Sequence, residues 1–109
     1  MTDDTRLHQL RTEVDRIDLQ LVGLMAARQR LVEAVAAVKG DARRVRDRER
    51  ERAILARVRD AALAAGLSPA IALPVWDRLL EVSVKHERRV LSLSDDREAT
   101  CCGCRHTKG

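Results

Sequence analysis

The feature that most constrains this chain is one apolar stripe that begins near its start. Leu7, Leu10, Val14, Ile17, Leu21, Leu24, Leu31, Val35 and Val38 follow one another at helical spacing, with steps that alternate between three and four. That is the signature of one buried face on an α-helix. The pattern predicts a helix from about Thr5 to Lys39, closed by Gly40 as a left-handed cap. A helix of ~35 residues is ~52 Å long, whereas a compact domain of ~100 residues has a radius of gyration near 13 Å. The helix therefore overshoots any monomeric globule, yet its stripe stays apolar to the end. A second copy of the chain is the simplest cover, which predicts an intertwined homodimer.

The rest of the chain is helical too. β-branched residues are scattered, no run alternates with period two, and Ala, Leu, Arg and Glu dominate. A short basic loop, Asp41 to Arg46, leads to Asp47, a good N-cap. The second helix runs to about Ala65, with Gly66 just past its end. Ser68-Pro69 opens a third helix that reaches about Leu93. Pro74 removes one backbone hydrogen bond and crowds the carbonyl of Ala70, so the first turn is expected to be kinked. Residues 94–109 lose all periodicity. The expectation is an all-α fold of three helices per chain, one very long and two shorter, over residues 1–93, with a disordered Cys-containing tail at 94–109.

Composition excludes several function classes. Trp76 is the only aromatic residue, so single-stranded nucleic acid would find nothing to stack on. Apolar runs stop at about seven residues, such as Leu21 to Ala27, far short of the ~20 that span a bilayer. The chain opens on the polar Thr2-Asp3-Asp4 and carries no signal peptide, so a cytoplasmic protein is expected. Arg43, Arg44, Arg46, Arg48, Arg50 and Arg52 could suggest a nucleic-acid patch, but Asp47, Glu49 and Glu51 interleave and cancel much of the charge. Cys101, Cys102 and Cys104 all sit in the last nine residues, so no disulfide framework holds the fold. With His106 they could chelate a metal, but no second cluster exists to fold around it, and neither metal nor cofactor is expected. The net charge of +4 suits an anionic partner without naming one.

The informative positions are those where polar residues interrupt the apolar faces. Arg28 stands between Leu24 and Leu31 in the first stripe, and Lys39, about three turns later, shares its face. The third helix reads Trp76, Leu79, Leu80, Ser83, Glu87, Val90, so Ser83 and Glu87 replace core residues one turn apart. In the second helix Ile54 and Val58 mark the buried face, which Glu51, Arg50 and Asp47 continue backwards. Buried charge is costly unless paired or bound to a ligand. Any one of these residues is most simply a snorkelling side chain or half of an internal ion pair such as Arg28–Glu87. Together, Arg28, Lys39, Arg50, Glu51, Ser83 and Glu87 point to a polar pocket within a helical bundle. The excess of cations suits a carboxylate-bearing ligand.

Leu10-Arg11-x-x-Val14-Asp15-x-Ile17-Asp18, Arg28-x-x-Leu31, Val35-x-x-Val38-Lys39, Val45-Arg46-Asp47-Arg48-Glu49-Arg50-Glu51, Gly66-Leu67 and Ser83 stand in sequence. This pattern resembles the all-helical, type II chorismate mutase family, over roughly residues 7 to 92. The resemblance implies an intertwined three-helix dimer with two equivalent sites and no cofactor. It also implies a place on the route to phenylalanine and tyrosine. Arg28 would grip one substrate carboxylate. Arg11 would reach in from the other protomer, since the 17 residues between it and Arg28 span ~25 Å along one helix. Arg50 would organise the charged site, Asp47 and Glu51 would accept hydrogen bonds at or near the ring hydroxyl, and Ser83 would stand beside a carboxylate. Lys39 would sit against the ether oxygen of the breaking bond, with Glu87 on its other side.

The implied reaction explains these residue types. Rearrangement of chorismate to prephenate is a concerted [3,3] shift that needs no nucleophile or metal. The enzyme holds an extended dianion in a compact chair and stabilises charge growing on the ether oxygen. Family members carry Gln or Glu at the position of Glu87. A Glu donates a hydrogen bond only when protonated, which burial favours and nearby Lys39 opposes; a Glu87–Lys39 salt bridge is the plainer alternative. Isochorismate pyruvate-lyases and 4-amino-4-deoxychorismate mutases use a similar bundle but lack the Glu that follows the second-helix Arg, so Glu51 favours chorismate. A non-catalytic helical dimerisation module would leave Arg28 and Lys39 inside the stripe unexplained.

Overall fold

The structure, a computed structural model, describes the backbone of residues 3–106 and the side chains of residues 3–93. It is all-α: among the described residues there are three α-helices, one short 3-10 turn and no strand. Two units are distinguished, Met1–Leu31 and Val32–Gly109.

Helix α1 is Asp3–Lys39. Asp3 and Asp4 in its first turn and Lys39 in its last complement the helix dipole. The described part of the first unit is this helix up to Leu31, and its stripe residues are exposed, from Leu10 at 42% to Leu31 at 69%. Gly40 closes α1 at φ +68, with its N–H on Ala36 O at 2.9 Å. A Cβ there would meet nothing closer than 3.9 Å, so the backbone angle and not space requires glycine.

Asp41 then starts the 3-10 turn Ala42–Arg44. Its carboxylate accepts from Arg43 N at 2.8 Å and pairs with the Arg43 guanidinium at 3.3 Å. The backbone bond first, then the side-chain bond, hold the Asp41 carboxyl below its ordinary value. The turn delivers Val45 into the core, where it packs with Ala36, Val84 and Leu91.

Helix α2 is Arg48–Ala65. Asp47 caps it from an extended conformation, its Oδ1 accepting from Arg50 N at 3.0 Å. Gly66 ends it at φ +77, with Gly66 N on Leu63 O at 3.3 Å and Leu67 N on Ala62 O at 2.8 Å. These two bonds form a Schellman cap. Ser68 then starts α3, Pro69–His106, its Oγ accepting from Ala70 N at 3.2 Å. Helix α2 packs against α3, and Ala62, Ala72 and Leu80 are buried on these two helices.

Helix α3 passes through Pro74 without a break. Pro74 and Ala70 are both exposed, so the Ala70 carbonyl that loses its partner stands near water. The helix also continues over residues 94–106, where a disordered tail was expected. Local hydrogen bonding and good helix formers such as Arg97, Glu98 and Ala99 extend a helix without an apolar stripe. The side chains of Cys101, Cys102, Cys104 and His106, and everything expected of them, lie outside the described residues.

Candidate active site

The expected site residues divide between the units. Arg11 and Arg28 belong to the first; Arg11 is exposed and Arg28 half-buried. Lys39, Asp47, Arg50, Glu51, Ser83 and Glu87 belong to the second.

In the second unit the turn after α1 organises the polar groups. Lys39 is half-buried at the end of α1, and its Nζ donates to Val45 O at 3.3 Å. Since Val45 packs against Val84, this bond ties the lysine to the core segment of α3 that carries Ser83 and Glu87. Ser83 is half-buried, and Glu87, at 8% exposure, is the buried charged residue of that helix among the described residues. Asp47 and Arg50, expected to continue the buried face of α2, are exposed instead. The Asp47 carboxylate turns back onto the Arg50 N–H, because capping a helix N-terminus claims it.

Glu51, one turn into α2, is held by charge. Arg46 Nε lies 3.2 Å from its Oε2, and Arg48 Nη1 lies 3.5 Å from its Oε1. Arg46 reaches further, donating from Nη2 to Glu81 Oε1 on α3 at 3.0 Å. The hydrogen bond from Arg46 is the main reason that the Glu81 carboxyl lies below its ordinary value. The same bond raises Arg46 above its own. Side-chain exposures are 17% for Arg46, 14% for Glu51 and 43% for Glu81. The Nε of Arg46 and the Oε2 of Glu51 are buried, and neither has a hydrogen-bond partner, because their 3.2 Å approach is an ion pair without hydrogen-bond geometry.

Sequence reasoning missed Arg46 and Glu81 in this cluster, and a separate pair, His86 and Glu33. Arg46 was visible inside the motif around Asp47 but read as part of a basic loop. Glu81 had no signal, since only the fold brings it to a residue 35 positions earlier. His86 Nε2 lies 2.6 Å from Glu33 Oε2, joining α3 to the last turns of α1 across 53 positions. The open groove of 570 Å³ lined by Leu55, Ala56, Arg59, Leu73, Pro74 and Asp77 contains none of the expected site residues.

A family model described as chorismate mutase type II matches residues 10–88. The chain belongs to this family. All eight expected site residues, from Arg11 to Glu87, fall within the match. Searches of curated proteins and of solved structures returned no match. Among the described residues, no helix is long and apolar enough to cross a membrane.

Proposed function

We propose that this chain is a chorismate mutase, rearranging chorismate to prephenate as a homodimer. The observation that carries this is the family match over residues 10–88, which takes in every cation and carboxyl expected of the site. Arg28 and the partner protomer's copy of residue 11 grip the two substrate carboxylates and enforce the chair in which the reacting carbons meet. Lys39 stabilises negative charge on the ether oxygen as the C–O bond breaks, and the protonated Glu87 carboxyl donates to the same oxygen. Ser83 stands beside a carboxylate, Arg50 organises the charged site, and Asp47 and Glu51 accept hydrogen bonds at or near the ring hydroxyl. The exposed apolar stripe of Met1–Leu31 supports assembly with a second copy.

A mixture of chorismate and isochorismate, followed by ultraviolet absorbance and product analysis, tests the reading. Chorismate loss with prephenate formation supports it. Pyruvate release from isochorismate moves the assignment to a lyase, and no turnover of either removes the catalytic reading.

A further inference from the structure

Arg46 and Glu81 join the loop before α2 to the middle of α3. Arg46 sits immediately before the Asp47 cap, so its side chain leaves the backbone where α2 begins. Its Nη2 is fixed on Glu81 at 3.0 Å, which leaves Nε facing Glu51 Oε2 at 3.2 Å. The contact supplies opposite charge but no hydrogen bond. The Oε2 end of the carboxylate is closed off by protein against Arg46, which leaves Oε1, 3.5 Å from the exposed Arg48 guanidinium, as the oxygen to take a further donor. A neutral hydroxyl is the group such an oxygen takes, since Arg46 already balances the charge.

We propose that Arg46 and Glu81 are positioning residues: Glu81 anchors the Arg46 guanidinium, and Arg46 fixes the buried Oε2 end of Glu51 so that its Oε1 is turned to the hydroxyl of the substrate. This rests on the reading of the chain as a chorismate mutase. Glu81 touches no substrate in this arrangement. It acts through two side chains, from a position exposed enough to be changed without opening the core.

Glu81→Ala, Glu81→Gln, Glu51→Gln and the Glu81→Ala/Glu51→Gln double variant test it, with chorismate and with an analogue lacking the ring hydroxyl. Glu81→Ala is expected to lower kcat/KM for chorismate about ten- to a hundredfold, the scale of a misplaced binding group. Glu81→Gln, which still accepts from Arg46, recovers most of the loss. Glu81→Ala costs nothing further in the Glu51→Gln background and nothing on the analogue, because the hydroxyl contact is then already gone. Equal losses on both substrates, or losses that multiply in the double variant, overturn the proposal. Crystal structures of the wild-type protein and Glu81→Ala supply a readout that does not need turnover. The Glu51 carboxylate is expected to rotate when Glu81 is removed, and an unmoved Arg46–Glu51 pair overturns the proposal. If the wild-type protein leaves chorismate untouched, the mutase reading fails, and the two structures still decide whether Glu81 positions Glu51.

Discussion

Replacing Asp47 by alanine, asparagine and serine separates helix capping from contact with substrate. Its Oδ1 accepts from Arg50 N at 3.0 Å, and its backbone is extended, at φ −137 and ψ 93. Alanine leaves that N–H to water, a loss of about 1 kcal/mol. Asp47 is exposed, so no cavity adds to the cost. In a domain of ~100 residues, about 1 kcal/mol lowers Tm by about 4–8 °C. Asparagine and serine keep an acceptor but lose the charge beside the helix N-terminus, about 0.3–1 kcal/mol. Thermal unfolding should rank Asp above Asn and Ser, and both above Ala. Turnover should follow a different order if the residue holds substrate: serine caps but is too short to reach, so it falls with alanine, whereas asparagine stays nearer aspartate. An alanine variant that melts with the wild type refutes the capping argument. A serine variant with full kcat/KM refutes the substrate contact.

Three further outcomes follow from single features. Glu87→Gln should flatten a pH profile in which wild-type kcat falls toward high pH, by about tenfold per unit once the carboxyl ionises; parallel profiles for the two proteins remove the protonated Glu87 from the mechanism. Gly66→Ala should cost about 1 kcal/mol from the left-handed backbone alone, since a Cβ there meets nothing within 4 Å; denaturant midpoints should rank Gly above Asn and Asn above Ala, and an unchanged alanine midpoint is the contrary result. The Arg46 bond lowers the Glu81 carboxyl below its ordinary 4.5, so its contribution to stability is complete above that value. It is lost as pH falls through the depressed one. The stability gap between wild type and Glu81→Gln should therefore close on acidification, and a gap that persists at low pH contradicts the assignment.

Local chemistry was legible in the sequence, and long-range pairing was not. Gly40, Asp47, Gly66 and Ser68-Pro69 mark helix ends because each satisfies backbone groups a few residues away, and all of them stand where the sequence places them. The buried Glu87 and half-buried Ser83 were legible from the face they share with Trp76, Leu79, Leu80 and Val90. Asp47 and Arg50 are exposed in the single chain, since periodicity assigns a face without saying what covers it at the helix end. Pro74 sits inside an unbroken helix, where the carbonyl that it strands is on an exposed residue. Arg46 and Glu81 lie on a loop and a helix whose meeting depends on the α2–α3 hairpin. No spacing rule links residues 35 positions apart, so their pairing is information carried by the tertiary fold alone.

The first unit sets a further physical requirement. Its described residues, 3–31, are one stretch of α1 whose stripe residues Leu10, Val14, Ile17, Leu21 and Leu24 are exposed. Most helical stability in proteins comes from packing an apolar face, because nucleation is costly and propagation barely favourable in water. A stripe of that length must be covered for the helix to persist, and in the proposed homodimer the partner's residues cover it. Folding and association are then one equilibrium, and unfolding depends on protein concentration. Each tenfold dilution removes about 1.4 kcal/mol of apparent stability from the dimer. At about 2–4 °C per kcal/mol for an assembly of ~200 residues, that lowers Tm by about 3–6 °C. Calorimetry across a hundredfold concentration range measures this directly. A Tm that does not move would mean that the stripe is covered within one chain, and the argument from helix length to a second copy would fail with it.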